Sequence, residues 1–268
     1  MRSFLPLIAL ALIPFTQAAG EREKFIYKTV GNEEIELYVT RSEKTDGPSP
    51  AIVWYYGSGL NKRDEPTQFY EHGKILAKLG ITSFYTNIRG RVEGEKRDEA
   101  LVVRCIEDAK SAFRWVRAHA QEFNLDQDRI AVGGGSSGGF LSTAITNLPG
   151  YDAETDDTTI PLKPSLQILF NPGFGQSNPE HLSPFMHVKE GVAPAVIFQG
   201  TADTTTPLSG AYDYQRALDK VGSNCHIFTY EDQKHGFFNY QNGDNPFYYK
   251  TVGDMIAFLE KQGYLNRP

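Results

Sequence analysis

The chain has 268 residues, 40 % hydrophobic and 22 % charged, with 25 glycines and 15 prolines, which is globular composition with length for one large domain. Its 27 basic residues against 33 acidic ones give a net charge of −6, and without a basic stripe it lacks the phosphate-neutralising surface that nucleic-acid binding requires. The two cysteines, Cys105 and Cys225, are too far apart in sequence to be a metal site, and both a disulfide and two packed thiols stay open.

The first residues, MRSFLPLIALALIPFTQAAG, combine a basic start at Arg2, an apolar run from Phe4 to Phe15 and a small-residue end at Thr16 and Ala18. That is the pattern of a signal peptide, and the run is shorter than the ~20 apolar residues of a membrane span. Residues 1–18 are therefore expected to be removed. The mature chain, 19–268, is expected to be secreted or periplasmic, a single domain without stable membrane insertion.

After the leader, FIYKTV (25–30) and EIELYVT (34–40) read as strands joined by a Gly31-Asn32 turn. AIVWYY (51–56) is a continuous apolar run of the kind buried on both faces of a parallel sheet. Apolar residues then recur at helical spacing from Thr67 to Leu79, Gly80 ends the helix, and ITSFYTNI follows as another strand. The stripe Leu101, Val102, Ile106, Ala109, Phe113, Val116 predicts a long amphipathic helix. The mixed charges at 61–65 and 89–99 look like solvated loops.

RIAVGG is a short buried strand that runs into the glycine and serine turn, and FLSTAITNL is helical again. LQILFNP (166–172) and PAVIFQG (194–200) are two further buried strands. A helix at 212–221, a strand at 226–230 and a closing helix at 252–262 complete the chain. Strands alternating with helices imply an α/β fold: a mostly parallel sheet covered by helices on both faces, with the first hairpin as its antiparallel edge. Ligands of such sheets bind beyond the carboxyl ends of the strands. The excursions at 150–164 and 173–194 are too short for a large lid.

GGSSG fits G-x-S-x-G with Ser136 at the centre of a strand, turn and helix. A nucleophile on such an elbow needs a strained backbone and small residues two before and two after it, which Gly134 and Gly138 supply, while Gly139 lets the helix pack close to the strand. The window also fits one residue later, with Gly135 and Gly139 flanking Ser137. Ser136 is preferred because the strand then runs directly into the turn. Ser137 in that register offers its backbone N–H to an oxyanion. A phosphate-binding glycine turn is the alternative reading of the stretch, and no GK[ST] accompanies it.

A serine hydroxyl needs a histidine to take its proton and a carboxylate to orient that histidine. The order Ser, acid, His is met by Asp203 in QGTADTTTP and His235 in YEDQKHGFF. His72, His119 and His226 lie on helices or a strand, and His181 and His187 precede Asp203. Asp213 sits inside a helix and Asp232 is too near His235. YGSGL (56–60), at the end of an early strand, nominates the N–H groups of Ser58 and Gly59 as further oxyanion donors. Tyr56, Phe174 and Phe237 are candidates for the substrate pocket, and no cofactor or metal is called for.

These residues resemble the alpha/beta-hydrolase superfamily, and within it the small bacterial carboxylesterases related to hormone-sensitive lipase and to feruloyl and acetyl-xylan esterases. The resemblance covers nearly all of the mature chain and rests on YGSGL, DAKSAFRWVRAHA, NLDQDRIAVGGGSSGGFL, SPFMHV, VIFQGTADTTTP and YEDQKHGFFNY. It implies an ester hydrolase with Ser136 as nucleophile, Asp203 as acid and His235 as base, acting on a small ester or acylated carbohydrate. The oxyanion loop departs from the family's H-G-G-G followed by an aromatic. Tyr56 stands for the His, Ser58 for the middle Gly and Leu60 for the aromatic. A peptidase of the prolyl-oligopeptidase type and a non-catalytic binding module are the alternatives, and the oligomeric state is open.

Overall fold

The expected hairpin is present as β1 (Glu23–Val30) and β2 (Glu33–Thr40), paired antiparallel. Six more strands follow: β3 (Ser49–Tyr55), β4 (Thr82–Thr86), β5 (Leu125–Gly135), β6 (Gln167–Phe170), β7 (Ala195–Gly200) and β8 (Cys225–Tyr230). The sheet order is β1-β2-β4-β3-β5-β6-β7-β8, with β2 antiparallel to β4 and every pair from β4 to β8 parallel. The computed structural model describes residues 22–265 apart from 45 and 177, so the signal peptide expected at 1–18 lies outside the described residues.

Among the described residues five α-helices cover the sheet: α1 (Tyr70–Leu79), α2 (Glu99–Ala118), α3 (Ser137–Asn147), α4 (Leu208–Lys220) and α5 (Pro246–Lys261). Alternate residues of β3 divide between the two faces. Val53 and Tyr55 pack with α2 and α3, while Ile52 and Trp54 pack with α1 and α5. Burial on both sides accounts for the unbroken apolar run. A third cluster seats Tyr214 and Leu218 of α4 on Leu169 and Ile197.

Two local readings are corrected, and the open question of the cysteines is answered. α4 and α5 start earlier than their apolar stripes, directly after Pro207 and at Pro246; Asn245 caps α5 by accepting the Phe247 N–H at 3.0 Å. The 89–99 segment is not simply solvated. Arg89 clasps the fully buried Asp108 of α2, which also binds Lys28 at 2.9 Å. Cys105 and Cys225 are free thiols, and burial pushes both up to about 12.

The topology fixes where a ligand can sit. From β3 the chain leaves to β4 on one side, and β5 then takes its place on the other. The loops after β3 and β5 therefore diverge from adjacent strand ends, which is the crevice where open α/β sheets bind ligands. Those loops are residues 56–60 and the glycine and serine turn.

Candidate active site

Between β5 and α3 the single residue Ser136 turns the chain, with φ 52° and ψ −116°. A non-glycine residue in that region stores about 1–3 kcal/mol of strain. The surroundings hold it there: Ser136 N donates to Phe170 O at 3.0 Å, and Ser136 O accepts from Gly173 N at 2.9 Å. A Cβ at Gly134 would collide with the Gly138 backbone, and one at Gly138 with the Tyr55 carbonyl. At Gly139 it would come within 2.5 Å of the Pro172 side chain. The small residues are therefore required by backbone contact.

The elbow lifts the Ser136 hydroxyl to 2.9 Å from His235 Nε2. His235 follows β8, and its Nδ1 lies 2.8 Å from Asp203 Oδ2 in the turn after β7. Asp203 is buried, and its Oδ1 accepts the N–H groups of Thr205 and Thr206 at 2.8 and 2.9 Å. Burial alone raises its pKa, but the Thr206 N–H, His235 and the Thr206 hydroxyl outweigh it and hold the carboxyl below the usual range. The arrangement can pass a proton from hydroxyl to imidazole while a fixed carboxylate steadies the ring.

The histidines and aspartates passed over in the sequence take other roles. His72 is sealed in α1 among aromatic rings, His181 pairs with Glu99 at 2.8 Å, and Asp232 is exposed. Asp213 borders the site but pairs with Arg216.

Ser137 does not compete for the histidine. Its Oγ accepts the N–H groups of Ser58 and Gly59, each at 3.0 Å. Gly57 N is turned away and donates to Gln68 Oε1 at 2.7 Å. The loop can lie this close because Gly57 has no side chain: a Cβ there would stand 2.8 Å from Gly135 O.

A cleft of about 450 Å³ opens beside Ser136. Leu60, Phe140 and Phe174 give it apolar walls, and Arg97, Gln176, Asn178 and Ser209 give it a polar rim. Of the three pocket residues expected from sequence, only Phe174 borders it. Tyr56 is buried in the α2 cluster, with its hydroxyl 3.4 Å from Asn61 O, and Phe237 packs on Tyr230 and Phe247. Phe140 lies in the first turn of α3, directly after the Ser136 turn, and carries no sequence signal that sets it apart from the core aromatics. The amides of Gln68, Asn171 and Asn239 carry no sequence signal of their own.

A model of the family described as BD-FAE matches residues 35–159. Acetylxylan esterase of Xylanibacter ruminicola is 23 % identical over 261 residues, covering 88 % of this chain and 51 % of its own. Acylamino-acid-releasing enzyme of Arabidopsis thaliana is 25 % identical, covering 76 % of this chain and 30 % of its own. The chain thus spans about half, or less, of the curated relatives it matches. Thermogutta terrifontis esterase 2, solved phosphorylated by paraoxon, superposes with a TM-score of 0.84 at 32 % identity, covering 96 % of this chain and all of that one. The same esterase solved with propionate bound gives 0.82 at 33 % identity, over 92 % and 96 % of the two chains. The sheet and the elbow define an alpha/beta hydrolase. The chain belongs to the esterases of that superfamily.

Proposed function

We propose that the protein hydrolyses short acyl esters by a Ser136, His235, Asp203 triad, with acetyl groups on carbohydrate as the preferred substrate class. The carrying observation is the continuous chain Ser136 Oγ, His235, Asp203, with links of 2.9 and 2.8 Å at the mouth of the cleft. His235 takes the Ser136 proton as the hydroxyl attacks the ester carbonyl. The tetrahedral oxyanion is held by the N–H groups of Ser137, Ser58 and Gly59. His235 returns the proton to the leaving alcohol, and the acyl-enzyme is hydrolysed by water that His235 activates.

The short acyl preference is supported by the modest cleft, and the propionate bound by the Thermogutta esterase is of that size. A hydroxylated alcohol is supported by the polar rim of Arg97, Gln176, Asn178 and Ser209, and by the kinship with an acetylxylan esterase. Export belongs to the same reading and is supported by the apolar run from Phe4 to Phe15. It is tested by sequencing the N-terminus of the chain recovered outside the cytoplasm.

The test is turnover of p-nitrophenyl acetate, butyrate and octanoate, followed by acetate release from acetylated xylo-oligosaccharide. Acetate is expected to be the best acyl group, and octanoate the poorest. Acetyl release confined to the nitrophenyl ester would remove the carbohydrate assignment. The similarity to acylamino-acid-releasing enzyme favours one second reading, a peptidase. It predicts that N-acetylalanyl p-nitroanilide is cleaved in preference to the esters.

A further inference from the structure

We infer that the Ser137 hydroxyl is a resident stopper of the oxyanion hole, which the substrate's carbonyl oxygen must displace before Ser136 attacks. The inference rests on the reading of Ser136 as nucleophile.

Three observations carry it. Ser58 N and Gly59 N, from a loop 79 and 78 residues away in sequence, converge on the one Ser137 oxygen at 3.0 Å each. A hydroxyl oxygen has two lone pairs, so this acceptor is saturated. Ser137 is also the first residue of α3, whose N–H is among those the helix leaves without an internal partner. The oxygen therefore sits on the meeting point of two donors and beside the third. Finally, the Gly57 N–H is engaged by Gln68, so the loop holds no spare donor from that residue.

A hydroxyl that assisted an oxyanion by donating its own proton would leave the loop N–H groups free for the substrate. Here they are engaged by Ser137 itself, and the oxyanion obtains them only when the hydroxyl leaves. Ser137 borders the cleft, and the inference requires its hydroxyl to turn to another staggered rotamer as the substrate enters from that side.

The consequence is a filter on when the hole is strong. A neutral ester carbonyl replaces one neutral acceptor with another and gains little. The developing oxyanion replaces a neutral acceptor with a charged one, whose hydrogen bonds are roughly twice as strong. Displacing the stopper costs the same in the ester complex as in the transition state, so it raises KM and lowers kcat/KM while leaving kcat, set by the oxyanion's gain over the neutral carbonyl, unchanged. In the empty enzyme it also satisfies two loop N–H groups that would otherwise be unpaired.

The test is the steady-state kinetics of Ser137→Ala and Ser137→Thr on p-nitrophenyl acetate, with acetate as product inhibitor and Ser136→Ala in the same assay. The alanine variant is expected to raise kcat/KM roughly two- to tenfold, the factor that one net hydrogen bond represents. The rise should be carried by a lower KM, with tighter acetate inhibition in parallel. Threonine keeps the hydroxyl and is expected to restore the wild-type KM. A fall in kcat with KM unchanged would make the hydroxyl a transition-state donor and overturn the inference, and so would identical constants in both variants. If Ser136→Ala retains turnover, the functional reading itself fails and the inference goes with it; an inactive Ser136→Ala beside an unaltered Ser137→Ala refutes the stopper alone.

Discussion

Gln68 Nε2 donates to Asn239 Oδ1 at 3.0 Å, a contact between residues 171 positions apart. The other end of the Gln68 amide accepts Gly57 N, and Asn239 Nδ2 donates to Gly236 O at 2.8 Å. Two neutral amides thus tie the 56–60 loop to the residue after His235. Gly236 N in turn donates to Asn171 Oδ1 at 2.9 Å, fixing the histidine loop to the end of β6.

Replacing Gln68 with Leu takes the acceptor from Gly57 N and the donor from Asn239 Oδ1, and lets the two loops drift separately. The expected result is a loss of about tenfold in kcat/KM, equivalent to ~1.4 kcal/mol of transition-state stabilisation. Asn239→Leu should lose a similar amount. Because both act through one link, the double variant should lose no more than the worse single one. Additive losses on p-nitrophenyl acetate would dissolve the link.

Asp203→Asn keeps size but presents an NH₂ group to His235 Nδ1, which favours the wrong tautomer. A fall in kcat of roughly 10³–10⁴ is expected, with little change in folding. Stopped-flow acylation rates and far-UV circular dichroism on the same preparation separate the two effects.

His72 is fully buried, edge-on to the Tyr248 ring, and neither ring nitrogen has a hydrogen-bond partner among the described residues. Burial lowers its pKa to about 3. Between the ordinary histidine pKa of ~6.5 and that value, the unfolded chain binds a proton that the folded chain refuses. Stability therefore falls as pH drops through this window, by up to about 1.4 kcal/mol per pH unit from this residue. Urea unfolding at pH 7, 6 and 5 should show a shallower decline for His72→Phe than for wild type. Parallel declines would contradict the assignment.

Asp108, inaccessible on α2, neutralises Lys28 and the Arg89 guanidinium and also accepts Arg89 N at 2.8 Å. Asp108→Ala takes the carboxylate from buried Lys28, leaves Arg89 with Glu107 at 3.3 Å, and should destabilise by about 3–5 kcal/mol. Lys74→Gln, which breaks an exposed pair with Glu71, should change stability by less than ~1 kcal/mol in the same denaturant series.

The features that were legible in sequence are those written in backbone chemistry. Gly134, Gly138 and Gly139 are dictated by contacts that admit no Cβ, and the order Ser136, Asp203, His235 follows strand ends that the apolar runs locate. Side-chain direction at loop ends is not encoded in that way. Tyr56 stands one residue past β3 and turns into the α2 cluster, and Phe237 turns onto Tyr230, so neither reaches the cleft. Gln68 and Asn239 are ordinary amides whose role appears only when a contact across most of the chain is formed. Arg89 was hidden for the opposite reason, because a run of mixed charge looks solvated until its buried partner on α2 is placed. The start of α5 did carry a signal, Asn245 followed by Pro246, a cap and a first-turn proline that the apolar stripe alone does not reveal.

The most direct test of the central claim is to react the protein with paraoxon, follow loss of p-nitrophenyl acetate hydrolysis, and map the adduct by peptide mass spectrometry. Attack by the serine hydroxyl expels p-nitrophenolate and leaves a diethyl phosphoryl ester on the chain. One adduct per chain, on Ser136, rising in step with the loss of activity and absent from Ser136→Ala, is the predicted result. An adduct on Ser137, or ester turnover that survives full phosphorylation of Ser136, would contradict it.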